Sequence, residues 1–231
     1  MGKPNYCNQS GFTLLELSMV LIIVGLLFSG ILKGQELIDL AKIKNFETDF
    51  KNFQLFIYAY QDKYRAIPGD DLNVVAHVDG ILATSPTGLQ GNGVIDGNWN
   101  STTATDESFL FWQHVRLAGL TSGSTVITDP TYKPVNVAGG VIGVQGGTSI
   151  PANSPINGGP GQTNPIQGIY IICSARILGK FVKIIDTDLD DGNTATGSIM
   201  ATPTTGYAIG AIATATTGIN DTTPYTLCMG I

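Results

Sequence analysis

From Asn5 to Ile67 the sequence has no proline, and from Leu17 to Leu32 it has no charged residue. The first absence removes the residue that most reliably breaks a helix, and the second removes what would hold a segment in water. Chemistry-bearing side chains are scarce as well. The two histidines, His77 and His114, stand apart without the spacing of metal ligands, and there is no Gly-x-Ser-x-Gly or Gly-x-x-x-x-Gly-Lys-Ser/Thr stretch. These gaps argue against an enzyme and against a nucleotide site. Basic residues are few: 12 Lys and Arg against 18 Asp and Glu give a net charge of −6, a poor balance for a nucleic-acid groove. No internal repeat is evident.

What is present is a run of 16 uncharged residues, Leu17–Leu32, entered through Ser10-Gly11-Phe12-Thr13-Leu14-Leu15-Glu16. Counted from Phe12, the stretch is 21 residues long. As a helix it spans about 31 Å, enough to cross a bilayer core. Glu16 is the anomaly, because a carboxylate at membrane depth costs roughly 2.5 to 3.5 kcal/mol and needs a partner or a task. A secretory signal peptide, with Lys3 as its basic region, fits poorly: the apolar run is long, an acid interrupts its start, and no Ala-x-Ala-like site follows. The small residue, Gly11, lies on the basic side of the run instead.

Gly11-Phe12-Thr13-Leu14-Leu15-Glu16-Leu17 resembles the class III leader junction of type IV pilins and of the pseudopilins of type II secretion. The resemblance implies cleavage between Gly11 and Phe12 by a prepilin peptidase, N-methylation of Phe12, and an assembly role for Glu16. It implies an α+β fold of the pilin type, a lollipop whose long N-terminal helix, membrane half then amphipathic half, packs on an antiparallel β-sheet head. The expected divisions are a leader at 1–11, a transmembrane and assembly helix at 12–33, its amphipathic continuation at 34–66, and a periplasmic or extracellular head at 67–231. The implied partners are other pilin or pseudopilin subunits, an inner-membrane platform protein, an assembly ATPase and membrane lipid. Lys3 places the N-terminus in the cytoplasm and the head in the periplasm, with the bacterial inner membrane spanned once before entry into a pilus or pseudopilus. One departure is Lys33, near the position where many pilins carry a mid-helix proline, and it leans toward a minor or secretion-type subunit.

The helical pattern continues beyond Leu32. Ile43, Phe46, Phe50, Phe53, Ile57, Tyr60 and Tyr64 follow at steps of three and four and so share one face, with Lys44, Glu47, Asp49, Lys51, Asn52 and Gln61 filling much of the other. A single helix from Phe12 to Tyr64 follows, on the order of 80 Å long. Ile67-Pro68-Gly69-Asp70-Asp71 ends it. A second helix is expected near Asp106–Ala118, stopped by Gly119, with Trp112 and His114 as core residues. This stretch also resembles, more weakly than the junction does, heads of pseudopilin type that carry Tyr-Arg-x-Ile-Pro-Gly-Asp, here Tyr64 to Asp70. Loops with short strands are expected over 121–168, then strands at Gly168–Ile177, Phe181–Ile185, Tyr207–Thr214 and Pro224–Met229.

Of the three cysteines, Cys7 precedes the apolar run and so cannot be a lipoprotein cysteine. Cys173 and Cys228 fall in β-like segments of the exported part, where a disulfide is expected, the alternative being two buried thiols. Closing that loop would stabilise the head by roughly 4 kcal/mol in the chain-entropy picture. Asp186, Asp188, Asp190 and Asp191 lie within six residues, a candidate calcium loop, although Asp191 and Gly197 occupy positions where an EF-hand needs Gly and Glu. A solvated turn between two strands is the alternative, and no other cofactor is expected. Two further functions compete with a structural subunit: a membrane-anchored adhesin or DNA-uptake pilin, and a bitopic periplasmic protein that never polymerises.

Overall fold

The computed structural model describes residues 11–159, 161 and 164–231. The expected leader lies outside these residues except for Gly11, and Cys7 and Lys3 lie outside them with it. Two compact units are distinguished, one ending at Ala41 and one comprising Lys42–Ile231. Helix α1, Leu14–Tyr64, starts in the first and ends in the second. In the first unit the side chains from Phe12 to Leu32 are exposed, and an 18-residue window of α1 with mean hydropathy 2.4 is long and apolar enough to cross a membrane. A Lys33–Glu36 ion pair of 2.6 Å closes the uncharged stretch.

The second unit is an α+β head on an antiparallel sheet. Its helices are α2 (Val74–Val78), α3 (Glu107–Leu117) and α4 (Gly179–Leu189). Its strands are β1 (Ile142–Gly146), β2 (Ile156–Asn157), β3 (Tyr170–Leu178), β4 (Ile199–Pro203), β5 (Ala211–Ile212) and β6 (Pro224–Gly230). Four of the strands form the main sheet in the order β1-β3-β6-β4, all antiparallel, while β2 and β5 make a small parallel pair.

Strand alternation divides the sheet between two cores. Ile172 and Ile177 of β3, Leu227 and Tyr225 of β6, and Ile199 and Ala201 of β4 join the aromatic stripe of α1 and the buried sides of α3 and α4. Ile171, Cys173, Met200 and Cys228 point the other way, onto Trp99, Ile156, Ile166 and Ala213. Both faces are covered, which is why the strands read as continuous apolar runs rather than an alternating pattern. In the stripe, Ile43, Phe46, Phe50, Phe53, Ile57 and Tyr60 are all buried. Phe53 sits at its centre, stacked on Phe111 and edge-on to Trp112 at centroid distances of 6.1 and 5.1 Å.

Four local expectations are corrected. Phe181–Ile185 is not a strand but part of α4: Phe181, Val182, Ile185 and Asp186 are buried while Ile184 and Asp188 are exposed, a helical rather than an alternating pattern. The acidic stretch is therefore not a turn between two strands, because Asp186 and Asp188 belong to that helix. The strand expected over Tyr207–Thr214 shrinks to the two residues of β5, since Tyr207 is held outside any ladder by bonds from Trp99 Nε1 (2.7 Å) and to Pro155 O (3.0 Å). Glu47 is not on the polar face of α1 but buried beside Phe46 and Phe50, with Lys44 at 2.9 Å and Lys51 at 3.9 Å covering its charge.

Phe53→Ala is expected to destabilise the head by about 3 to 5 kcal/mol in denaturant unfolding, whereas Leu55→Ala, on the exposed side of the same helix, stays within about 0.5 kcal/mol. Equal effects would show that the stripe is not the core.

Candidate functional site at the helix start

Gly11, Phe12 and Thr13 precede α1 and are non-helical. Thr13 is the residue immediately before the first helical position, and Glu16 is the third residue inside. The two satisfy each other: the Glu16 N–H donates to Thr13 Oγ1 at 3.2 Å, and Glu16 Oε2 accepts from the Thr13 N–H and the Thr13 hydroxyl, each at 2.9 Å. This reciprocal arrangement is a capping box, which satisfies two of the donors that a helix start leaves without intrahelical partners. The acid that stands out in the sequence thus has a local partner in the single chain. Thr-x-x-Glu is the signal that reveals it, and the larger signal of an acid beside an uncharged run hides it. The Gly11–Phe12 bond lies just outside the capped turn.

In the head, Asp186, Asp190 and Asp191 bring a carboxylate oxygen each to within 4.8 Å of one another, while Asp188, one of the four expected ligands, is exposed and lies outside the group. Asp186 is fully buried, and neither of its oxygens has a hydrogen-bond partner. Burial pushes its pKa up to about 7, the charges of Asp190 and Asp191 adding to the rise and the nearby Gly192 N–H opposing it. The other two acids are anchored: Asp190 Oδ2 accepts the Ile199 N–H at 2.8 Å, and Asp191 accepts from the Asn193 N–H and the Thr196 hydroxyl, both at 2.8 Å. Gly197 leaves space for this, since a Cβ there would lie 2.1 Å from Asp190 Oδ2. On the far face of the sheet, Cys173 and Cys228 are directly opposed on β3 and β6 and joined by a disulfide. The bridge ties the last strand to the central one.

Residues 6–32 match the prokaryotic N-terminal methylation motif. The motif is the signature of type IV pilins and pseudopilins, a structural rather than enzymatic group, and it covers both Gly11–Phe12 and Glu16. No curated protein and no solved structure matches the chain. The methylation motif and the apolar part of α1 together fit anchoring in a membrane.

The motif does not reach the segment that ends α1, where a second polar constellation is built. The Gly69 N–H donates to His114 Nδ1 at 2.9 Å, which leaves His114 Nε2 as the donor to Ile81 O at 2.9 Å. An Nδ1 that accepts a hydrogen bond belongs to a neutral ring, and burial holds the His114 pKa below its ordinary value in the same sense. Asp71 Oδ2 accepts the Tyr60 hydroxyl and His77 Nδ1, both at 2.7 Å, and Oδ1 accepts the Asn73 N–H at 2.8 Å. Ile67-Pro68-Gly69-Asp70-Asp71 is therefore more than a helix stop, since its polar groups bind the end of α1 to α2 and α3. Sequence reasoning missed this role, which joins residues more than forty positions apart.

Proposed function

We propose that the chain is the precursor of a structural filament subunit, a pilin or pseudopilin of minor or secretion type, held in the bacterial inner membrane by α1 until it is assembled. The observation that carries this reading is the methylation motif, laid over a non-helical Gly11–Phe12 junction and a Glu16 inside the first helical turn. In this reading the prepilin peptidase removes residues 1–11 on the cytoplasmic side, and methylation follows on the new amine of Phe12. Residues 12–33 serve as the membrane and assembly segment, 34–66 continue the helix, and 67–231 form the exported head. A platform protein and an ATPase of the same membrane supply the work of extraction, and the chain itself contributes no catalysis.

The capping box gives Glu16 two successive partners. In the precursor the carboxylate is held by its own Thr13. After cleavage a neighbouring subunit offers a full positive charge, its Phe12 amine, and in a low-dielectric setting attraction between the two ions is strong while an unpaired ion is heavily penalised. A subunit in register therefore gains, and a misplaced one loses. Two substitutions separate the partners. Glu16→Gln keeps the cap, because a capping box accepts glutamine, but deletes the charge; Thr13→Val loosens the first turn by about 1 kcal/mol but keeps the charge. Filament assembly is expected to fail in the first and persist in the second. Assembly of Glu16→Gln at the wild-type rate would show that charge pairing does not set register.

We also propose that Asp186, Asp190 and Asp191 hold a divalent cation, with calcium as the hard-cation candidate. The support is the buried Asp186, whose two oxygens lack donors and face two further carboxylates. An ion would complete that oxygen set without a hydrogen-bond donor. Addition of Ca2+ to about 1 mM is expected to release heat and raise the melting temperature, and Asp186→Asn to abolish both effects. Because Asp186 titrates at about 7, protons compete with the ion and affinity should fall as the pH drops below that value. Neither heat nor a melting shift in the wild type would remove the site.

A further inference from the structure

The segment after α1, the turn at Gly91–Asp96 and the first turn of α3 converge on two acids, Asp70 and Glu107. Asp70 is almost fully buried and Glu107 completely so. Asp70 Oδ1 accepts the Gly91 N–H, and Oδ2 accepts the Gly93 N–H at 2.7 Å. Glu107 Oε2 accepts the Asp96 N–H at 2.8 Å. Three amides of one turn are thus held by two carboxyl groups. Glu107 Oε1 is buried and receives no donor. The backbone is close here as well: Gly69 has φ 96°, and a Cβ on it would lie 2.6 Å from the Glu107 carbonyl oxygen. The two acids therefore cannot separate unless a segment moves.

The surroundings offer Glu107 no compensating cation among the described residues; the charges that act on it are those of Asp70 and Asp96, and burial with these charges holds its carboxyl well above the usual range against the opposing Asp96 N–H. The other titratable groups around the pair are already engaged. Asp71 is held by Tyr60 and His77, Asp96 by Asn92 Nδ2 at 2.8 Å, Asp106 by the Ser101 hydroxyl at 2.6 Å, and His114 by Gly69 and Ile81. From β3, Tyr170 lies near Asp70 and accepts from Gln61 Nε2 at 3.2 Å. Arg65, which is exposed, lines the cavity on the Asp70 side.

Two adjoining buried carboxylates do not both ionise, and a buried acceptor without a donor is costly. One proton resolves both problems. Both Asp70 oxygens already accept backbone N–H donors, whereas Glu107 Oε1 is the one oxygen of the pair left without a partner, so the proton belongs on Glu107. We infer that Glu107 Oε1 carries a proton donated to the Asp70 carboxylate, and that this shared proton is a latch holding the Gly91–Asp96 turn against the post-α1 segment and α3, released when alkaline pH removes it. The folded chain then keeps a proton that the unfolded chain gives up above the ordinary value of 4.5. The latch contributes fully below that value and is lost as the pH rises through the raised one.

The full-length chain in detergent micelles provides the test. It contains four glutamates, Glu16, Glu36, Glu47 and Glu107, so carbon-13 labelling of glutamate leaves few sources for an infrared carboxyl band. At about pH 7 a neutral-carboxyl band is expected in the wild type and in a Glu16→Gln background, and it should vanish in Glu107→Gln, whose amide can still donate to Asp70 and accept from Asp96. Asp49 and Asp186 also titrate above the usual range, at about 6 and about 7, so the informative quantity is the difference between wild type and Glu107→Gln. Between about pH 5 and about pH 9 the wild-type unfolding constant should rise more steeply than that of the variant, by up to about tenfold per pH unit. Identical pH slopes in the two proteins would overturn the latch. So would the absence of the band from the Glu16→Gln background at neutral pH, which needs no fold from the Glu107 variant, or loss of the band on adding Ca2+ alone, which would make the pair a cation site.

Discussion

An acid at the entrance to a long uncharged helix must be neutralised wherever that helix goes. Glu16 meets this constraint first within its own turn, where Thr13 supplies a backbone and a hydroxyl donor. A hydrogen-bonded carboxylate still carries its charge, and at membrane depth only a cation or a proton cancels it. Hence the capping box is a holding arrangement. It fixes where α1 begins and leaves Gly11–Phe12 outside the helix, and in the proposed assembly it keeps the acid in place for the ion that processing would create.

The head follows the same economy of charge by other means. Its sheet is buried on both faces, one by the aromatic stripe of α1 with α3 and α4, the other by loops gathered around Trp99 and the Cys173–Cys228 bridge. Several acids are buried in the head with them. Asp71 and Glu47 are satisfied by Tyr60, His77 and lysines, whereas Glu107 and Asp186 are not, and for those two burial raises the pKa. The cases differ in their neighbours. Glu107 faces an Asp70 already gripped by two amides, which suits a proton; Asp186 faces two carboxylates at the end of a helix, which suits an ion.

Much of this was readable from periodicity. The three-and-four spacing from Ile43 to Tyr60 foretold both the helix and its buried face, and the Trp112 helix with its Gly119 stop was as plain. The long β-branched segment around Cys173 and the last strand were also legible, since apolar runs bounded by turn residues have few other solutions. Phe181–Ile185 was not, because five apolar residues are too short for the two periods to separate, and the acids that follow look like a turn. Helical phase then decides what composition could not: Asp186 and Asp190 are one turn apart and converge, while Asp188 lies between them on the outer side. The Asp70–Glu107 meeting was out of reach altogether, because only tertiary packing brings together residues 37 positions apart.

The claim that α1 begins at a processed junction is open to direct measurement. Mass spectrometry of the protein purified from bacterial membranes should show a chain that lacks its first eleven residues and starts with N-methylated Phe12. A product that retains Met1 to Gly11 would contradict the account, because Glu16 would then have no freed amine to meet.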